Sequence, residues 1–249
     1  MEIAFAAVLG AIIGSFLNVV VWRLPRGESL ASPPSRCPSC GNRIAPYDNV
    51  PVVSWLLLRG RCRHCGARIS PRYPLVELLT AAAFAGVVAI RGFDSGLVLE
   101  LPFVACLIAL AGIDYDHKLL PNKIVYPMAA YGLLATLLVD GDDLVENLIA
   151  GAGAFLFLFV AVLAYPRGMG MGDVKLGGAM GLYLGLAIVP ALLAAFLSGT
   201  LVGLVIIARE GAAARKKAVP FGVFLALGGL VGVLAGPELI ELYEDRFLD

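Results

Sequence analysis

The sequence has few charged residues. Asp, Glu, Lys and Arg make up 15% of its 249 residues, whereas hydrophobic residues make up 59%. A typical soluble domain carries roughly 25% charged residues. Together with a mean hydropathy of +0.87, this shortage of charge excludes an ordinary soluble domain and indicates an all-α integral membrane protein.

Long apolar stretches supply the candidate membrane spans. A helix needs roughly 20 apolar residues to cross a hydrocarbon core about 30 Å thick, and shorter stretches are accommodated by local thinning. Seven stretches qualify, at 3–22, 74–90, 97–113, 124–139, 144–164, 176–208 and 218–236. The sixth is too long for one span and contains Pro190 near its middle, which predicts two short helices joined by a tight turn. We therefore expect eight transmembrane helices.

The basic residues are distributed asymmetrically between the loops. With eight helices and the N-terminus outside, only Arg91 and Arg246 of the 19 basic residues fall in outer segments. Cytoplasmic loops are enriched in Lys and Arg, so both termini are predicted outside and the basic loops inside. Seven helices would put one group of basic loops on the wrong side, which supports splitting 176–208. The topology accounts for the positive charge of these loops, so no nucleic-acid partner is needed to explain it.

The chain also lacks the features of a cleavable signal peptide. Its first apolar stretch has no basic segment before it and no A-x-A site before the turn, so we interpret it as a retained transmembrane helix in residues 1–22. No repeat of helix pairs and no low-complexity tract stands out. The longest polar segment, residues 23–73, separates this helix from a multi-helix bundle in residues 74–249.

Four of the five cysteines lie in that polar segment, which we call the cysteine loop (23–73). They form two C-x-x-C pairs, Cys37 with Cys40 and Cys62 with Cys65, with 21 residues between the pairs. This spacing is typical of a tetrahedral four-cysteine zinc site, and a site closed by four thiolates is structural rather than catalytic.

Two other interpretations of the cysteines remain open at this point. Two disulfides or a dithiol redox pair are disfavoured because the loop is predicted to be cytoplasmic, where structural disulfides are rare. His64 could replace a cysteine as a ligand. Because four cysteines already close the site, we interpret His64 as an exposed spacer residue. Cys106, alone in the third apolar stretch, fits a small packing residue.

Two acidic strings suggest chemistry at the membrane surface. GIDYDHKLLPN (112–122) closes the third stretch, and GMGMGDVK (168–175) precedes the sixth. Asp114 and Asp116 point nearly opposite ways on a helix, about 200° apart, and Asp114 follows the apolar run directly. Asp114 is therefore predicted to be buried and Asp116 solvated. By the same topology Asp173 reaches the cytoplasmic end of its helix.

Facing aspartates can perform aspartyl proteolysis. Like charges disfavour simultaneous ionisation, so Asp114 and Asp173 together can hold one proton. One carboxylate then takes a proton from water while the other donates to the scissile carbonyl. The glycines before Asp173 would let an extended substrate approach.

Other roles for these carboxylates remain open. Asp114 can pair with Lys118, and Asp173 can cap a helix near Lys175. The pair can also relay protons in a transporter, or belong to a membrane scaffold whose zinc loop docks a partner. Transporter sites usually lie near the midplane, whereas these carboxylates are predicted at helix ends.

Several strings, in order, resemble the type IV prepilin peptidases. These are GSFLNVVVWRLP, the two C-x-x-C pairs, NVPVVSWLLLRGRC, SPRYPLVELL, IDYDHKLLPN, GMGD and VPFGVFLALG. The resemblance covers almost the whole chain. It implies a GxGD aspartyl protease in which Asp114 and Asp173 are catalytic and Asp116 is not.

The resemblance also implies the substrates and a second activity. The enzyme would cleave the leader from prepilins or pseudopilins and then methylate the new N-terminal residue with S-adenosylmethionine. No G-x-G-x-x-G loop identifies a binding site for that cofactor. Trp55, Arg72, Tyr73 and Glu77 are worth probing, although each also fits an interface anchor or a loop-packing residue. The implied location is the bacterial inner membrane, with lipid around the helices.

Overall fold

The computed structural model describes residues 1–139, 141–165, 168–211 and 219–247. The basic residues at 167 and 215–217, which enter the charge argument, lie outside these ranges. The described residues are overwhelmingly helical and contain no β-strand, only two isolated β-bridges in the cysteine loop. The prediction of an all-α membrane protein is therefore confirmed.

The chain divides into two compact units, Met1–Phe93 and Asp94–Asp249. The first unit contains two long helices, one short helix and two single 3₁₀ turns. They are α1 (Glu2–Arg23), a turn at Leu24–Arg26, a turn at Pro46–Asn49, α2 (Val53–Leu57) and α3 (Arg72–Arg91).

In this first unit α1 packs closely against α3 because two glycines on α1 present no side chain. A Cβ added to Gly10 would lie 2.6 Å from the Thr80 carbonyl oxygen, and one added to Gly14 would lie 2.8 Å from Glu77 Cα. Such small residues four positions apart are typical of tight helix pairs in membranes. Asn18, four residues further along α1, donates from Nδ2 to the Tyr73 carbonyl oxygen at 3.1 Å, so a polar contact joins the same pair of helices.

The second unit is a helical bundle. Its described elements are α4 (Leu97–His117), α5 (Asn122–Val139), a 3₁₀ turn (Gly141–Asp143), α6 (Leu144–Ala164), α7 (Met171–Leu184), a 3₁₀ turn (Gly185–Ala187), α8 (Ile188–Glu210) and α9 (Phe221–Phe247). The closest helix pairs meet through glycine: a Cβ on Gly181 of α7 would lie 2.5 Å from Gly151 Cα of α6. The bundle therefore depends on backbone approach as well as on apolar side chains.

Seven segments of the described chain are long and apolar enough to cross a membrane. The longest, Met171–Glu210, contains two helices, as predicted, but the break lies at Gly185–Ala187 rather than at Pro190. Gly185 adopts a φ of +52°, which favours glycine and ends α7. Pro190 falls in the first turn of α8, where a missing N–H costs nothing.

Candidate active site and metal centre

Asp114 is buried near the end of α4. It is 5% exposed, whereas Asp116, on the opposite side of the same helix, is exposed. The predicted difference in burial between these two aspartates is confirmed. It follows from the helical period, because the buried face of α4 carries Leu110, Ile113 and Asp114 toward the bundle.

The start of α9 covers the Asp114 carboxylate. A Cβ added to Gly222 would lie 2.8 Å from Asp114 Oδ2 and 2.9 Å from Leu120 Cδ2, so only glycine fits at that position without a shift. Within the described residues, Asp114 Oδ2 is buried and accepts no hydrogen bond of normal geometry, although the backbone N–H groups of Gly222 and Val223 lie near the carboxylate. A buried carboxylate oxygen that is incompletely hydrogen-bonded is costly.

Asp173 is the third residue of α7 and is 8% exposed. Its Oδ2 accepts a hydrogen bond from the Gly170 N–H at 2.9 Å, and its own N–H donates to the Gly170 carbonyl oxygen at 3.1 Å. The capping role considered for Asp173 is therefore present, exerted from the third position of the helix rather than from the N-cap. This hydrogen bond fixes one carboxylate oxygen and orients the side chain.

The segments that carry or cover the two aspartates both pack on Leu120. A Cβ on Gly172, next to Asp173, would lie 3.0 Å from Leu120 Cβ, while Gly222 packs on both Leu120 and Asp114. The two carboxylates also interact electrostatically as like charges. Residues 59 positions apart in sequence are thus brought to one buried site by α4, α7 and α9.

Neither aspartate forms a salt bridge with the lysine considered from the sequence, although Lys118 lies close enough to Asp114 for their opposite charges to interact. Within the described residues no salt bridge joins Asp114 to Lys118 or Asp173 to Lys175. Lys175 instead donates from Nζ to Asn122 Oδ1 at 3.2 Å and lies over the ring of Tyr126 at 5.3 Å. The lysine nearest Asp173 in sequence therefore contacts α5 and leaves the carboxylate without a counter-ion from that position.

The four cysteines of the loop form a single cluster. Their sulfur atoms all lie within 4.8 Å of one another, and Cys37 Sγ is 3.8 Å from Cys65 Sγ. None of them is in a disulfide. Four sulfurs placed tetrahedrally at about 2.3 Å from a zinc ion would be about 3.8 Å apart. The cluster can therefore hold a metal ion, and its donor set fits zinc.

The backbone favours thiolates at this cluster. The N–H groups of Cys40 and then Ser39 donate to the Cys37 sulfur and lower the pKa of that thiol to about 6. A metal binds the thiolate rather than the thiol. The Cys37 thiolate is therefore favoured near neutral pH. At Cys65 the Ala67 N–H also favours the thiolate, but burial and hydrogen bonds to the other three cysteines raise the pKa to about 11.

An eight-residue pattern that sequence reasoning missed forms both halves of the cluster. RCPSCGNR (36–43) and RCRHCGAR (61–68) share the form R-C-x-x-C-G-x-R, and each closes with an antiparallel bridge between its two arginines. Gly41 and Gly66 adopt φ values of +72° and +70°. We call these segments the two knuckles.

Other contacts brace the loop around the knuckles. Arg63 donates from Nε and Nη2 to both carboxylate oxygens of Asp48 at 2.6–3.1 Å, and this hydrogen bonding lowers the pKa of Asp48. Because the pKa of Asp48 is lower in the folded state, the pair stabilises the loop fully above the ordinary Asp pKa. This stabilisation is lost as the pH falls from that value through the lower pKa of the folded state. Trp55 donates from Nε1 to the Ile69 carbonyl oxygen at 3.2 Å, so the loop-packing alternative for Trp55 is correct.

Glu77, on α3, holds a bent piece of the loop. It is 7% exposed, and its Oε2 accepts a hydrogen bond from the Val52 N–H at 2.7 Å. Val52 has φ +62° and ψ −52°, while the Val53 N–H donates to the Pro51 carbonyl oxygen at 2.6 Å. These are the features of a γ-turn with positive φ, which is rarer and more strained than the inverse γ-turn. The sequence offered only Glu77 itself as a signal of this contact.

Comparison with known proteins places the two units within one family. Residues 8–91 match the bacterial peptidase A24 N-terminal domain, and residues 101–208 match the type IV leader peptidase family. The chain belongs to the type IV leader peptidase family, which is a family of aspartic proteases.

The similar curated proteins carry more specific names. A prepilin leader peptidase/N-methyltransferase of Burkholderia pseudomallei is 36% identical over 95% of this chain and 86% of its own length. One of Dichelobacter nodosus is 36% identical over 98% and 95%. A type 4 prepilin-like proteins leader peptide-processing enzyme of Escherichia coli is 38% identical over 92% of each chain. No solved structure matches the chain.

Proposed function

We propose that this protein cleaves the leader peptide of type IV prepilins or pseudopilins with Asp114 and Asp173, and then methylates the new N-terminal residue. The observation that carries the peptidase is that two buried carboxylates from different helices lie close enough to interact electrostatically. The names of the relatives support the choice of substrate and the second activity.

The two aspartates would share one proton between them. The ionised carboxylate takes a proton from a water molecule as the water oxygen attacks the scissile carbonyl carbon. The protonated carboxyl donates its proton to the carbonyl oxygen. As the tetrahedral intermediate collapses, the leaving nitrogen receives a proton and the carboxylates exchange roles. The contact from Gly170 to Asp173 Oδ2 keeps one oxygen fixed during this exchange.

The glycines around the aspartates would admit the substrate. Gly170 leaves the Asp173 carboxylate uncovered on its side. A side chain at this position would begin with a Cβ 3.6 Å from Asp173 Oδ2. An extended peptide can therefore approach the carboxylate on that side. This fits a substrate whose leader meets an apolar helix at the membrane surface, because the scissile bond must leave the helical form before water reaches it.

We assign the metal centre and the methyl transfer to the cysteine loop and the peptidase to the bundle after residue 73. Cys37, Cys40, Cys62 and Cys65 would hold one Zn²⁺, which fills all its positions with thiolates and folds the loop. S-adenosylmethionine would supply the methyl group. The basic residues of the loop and of the ends near Asp114 and Asp173 support a cytoplasmic position for both activities.

Purified protein, a prepilin and labelled S-adenosylmethionine test this proposal together. Asp114→Asn and Asp173→Asn should each slow cleavage by at least about 100-fold, the scale of a lost general acid–base group. Asp116→Asn is the matched control, since it removes an exposed carboxylate two residues away, and it should cleave at nearly the normal rate. Mass spectrometry of the new N-terminus reads cleavage and methylation in one sample.

Normal cleavage by either of the first two variants would remove the aspartate pair from the mechanism. Equal loss at Asp114 and Asp116 would overturn the choice between them. Proton-coupled uptake by proteoliposomes that show no peptidase activity would instead support the transporter.

A further inference from the structure

The cysteine loop has an unusual composition of basic residues. Between Arg23 and Arg72 it contains nine arginines and no lysine, against two acidic residues, Glu28 and Asp48. Even with the double negative charge that four thiolates leave on a divalent metal ion, the loop keeps a net positive charge. A cytoplasmic location accounts for positive charge but does not distinguish Arg from Lys. The choice of Arg points to a ligand that the guanidinium fork recognises.

Some of these arginines have structural partners. Arg63 pairs with Asp48, Arg23 donates to the carbonyl oxygens of Ser29 and Pro33, and Arg26 lies 3.7 Å from the centre of the Trp22 ring. These three contacts brace the loop and the end of α1. They do not account for the arginines at the two ends of each knuckle.

Each knuckle begins and ends with an arginine, and an antiparallel bridge joins these two residues. Arg36 pairs with Arg43 and Arg61 with Arg68, and all four residues are exposed. In the part of the chain that the structure describes, none of these four arginine side chains has a hydrogen bond or an ion pair. Like charges directly opposite each other on an antiparallel pair are destabilising. Two arginines on bridged residues can, however, both donate several N–H groups to one phosphate.

Apolar side chains accompany this charge. The short helix α2 exposes Leu57 to 78% and Leu56 to 61%, and Val53 is also exposed. The loop joins α1 to α3, two candidate membrane spans, and Trp22 and Tyr73 near its ends are exposed residues of the types that gather at membrane interfaces. Exposed leucines within a few residues of a membrane surface, beside unpaired arginines, are the pattern of a segment that lies on that surface.

We propose that the cysteine loop docks on the membrane through its knuckles, with the arginine pairs binding the phosphates of anionic phospholipids and the α2 leucines entering the interface. A soluble acidic partner would satisfy the arginines but would not explain the leucines. A basic leader peptide would be repelled by the same surface. The chemistry that fits both features is a phospholipid.

The test uses the full-length, zinc-loaded protein in nanodiscs of phosphatidylcholine alone or mixed with phosphatidylglycerol. Hydrogen exchange is followed in the peptide that contains α2 and in the two knuckles. Exchange should slow by at least about fivefold in the anionic discs, given the strength of a basic side chain at an anionic surface. Equal exchange in the two kinds of disc would overturn the proposal.

Variants identify the groups responsible. R36Q/R43Q/R61Q/R68Q should lose the difference between the discs, while its zinc content, measured by elemental analysis, shows that the loop is folded. The charge-matched R36K/R43K/R61K/R68K should keep only part of the difference, and full protection in that variant would overturn the assignment to guanidinium pairs. L56S/L57S should restore fast exchange in α2 alone.

Two soluble competitors separate lipid from other anions. Inorganic phosphate or a polyglutamate peptide, added to phosphatidylcholine discs, should leave the exchange unchanged. Protection by phosphate equal to that in anionic discs would replace the lipid with a free phosphate ligand, and protection by polyglutamate would replace it with an acidic protein. Either result would overturn docking on lipid.

Discussion

At the residue scale, Gly222 shapes the candidate site through the side chain that it lacks. Gly222→Ala would place a Cβ against Asp114 Oδ2 and Leu120 Cδ2. Both crowded atoms are side-chain ends, so α9 can keep its place while the carboxylate moves. A small misplacement of a reacting group is costly. We expect cleavage to fall by at least about tenfold, measured as kcat on a prepilin, with little change in the melting temperature.

The control for this substitution is Gly203→Ala. Gly203 lies in α8, and a Cβ there meets nothing within 4 Å. The substitution makes the same chemical change in a helix and should leave cleavage and melting temperature close to those of the parent protein. A Gly222→Ala protein that cleaves normally would show that the carboxylate tolerates displacement, or that it is not part of the reaction.

The sequence predicts which aspartate of α4 is buried better than it predicts what surrounds that aspartate. Helical periodicity separates Asp114 from Asp116, because it depends only on neighbours along one helix. Gly222, by contrast, lies 108 positions after Asp114, and no local pattern reveals which glycine approaches which carboxylate. The sequence suggests a capping role for Asp173 because Asp is a common N-cap residue, but in the structure Gly170 is the N-cap and Asp173 is the third residue of the helix.

At the element scale, the γ-turn at Val52 depends on α3. Its positive φ on a β-branched residue costs of order 1–3 kcal/mol and persists only where other contacts impose it. The hydrogen bond from the Val52 N–H to Glu77 Oε2 is such a contact. In Glu77→Ala the N–H loses its acceptor, and we expect the turn to open. Hydrogen exchange at Val52 and Val53 should then accelerate by about tenfold or more, equivalent to about 1.4 kcal/mol.

The conservative change at this position is Glu77→Gln. Its side-chain carbonyl can still accept from Val52, so most of the protection should remain. If Glu77→Ala exchanges as slowly as the parent protein, the turn is held by other contacts. If Glu77→Gln exchanges as fast as Glu77→Ala, the negative charge matters rather than the acceptor.

The long helices were predictable because length and hydropathy determine membrane helices, whereas the short helix α2 in the cysteine loop was not predicted. The break between α7 and α8 was predicted at the wrong residue. Pro190 is the conspicuous residue in that stretch, but proline is compatible with the first turn of a helix, whereas the positive φ at Gly185 is not compatible with its continuation. With 29 glycines in the chain, one decisive glycine is hard to select from sequence.

At the scale of the whole molecule, the metal centre and the aspartates belong to different compact units. Removing the metal should therefore affect the two proposed activities unequally. We expect Cys62→Ser, or treatment of the parent protein with a strong chelator, to release zinc and to expose the loop at 23–73 to protease. Methylation should be lost, while cleavage of a prepilin should fall by less than about tenfold, because the loop can unfold as a local unit.

Cys106→Ser is the matched control, because that cysteine lies in α4 and is not one of the four in the cluster. It should keep its zinc, its loop and both activities. Full zinc content in Cys62→Ser would contradict a site built from all four cysteines. Loss of cleavage in parallel with methylation would show that the two units depend on each other for activity.

The two knuckles have a consequence for the origin of the loop. Their shared pattern extends beyond the cysteines, because Ile44 N donates to Ser35 O and Ile69 N donates to Gly60 O in corresponding positions. Two copies of one ten-residue segment, each contributing half of the ligands, are what tandem duplication of an ancestral half-site produces. Their ligand halves are then interchangeable in principle. The spacer between the two copies, residues 45–59, is not repeated. Its residues Tyr47, Val52 and Trp55 therefore occur in the loop without a counterpart.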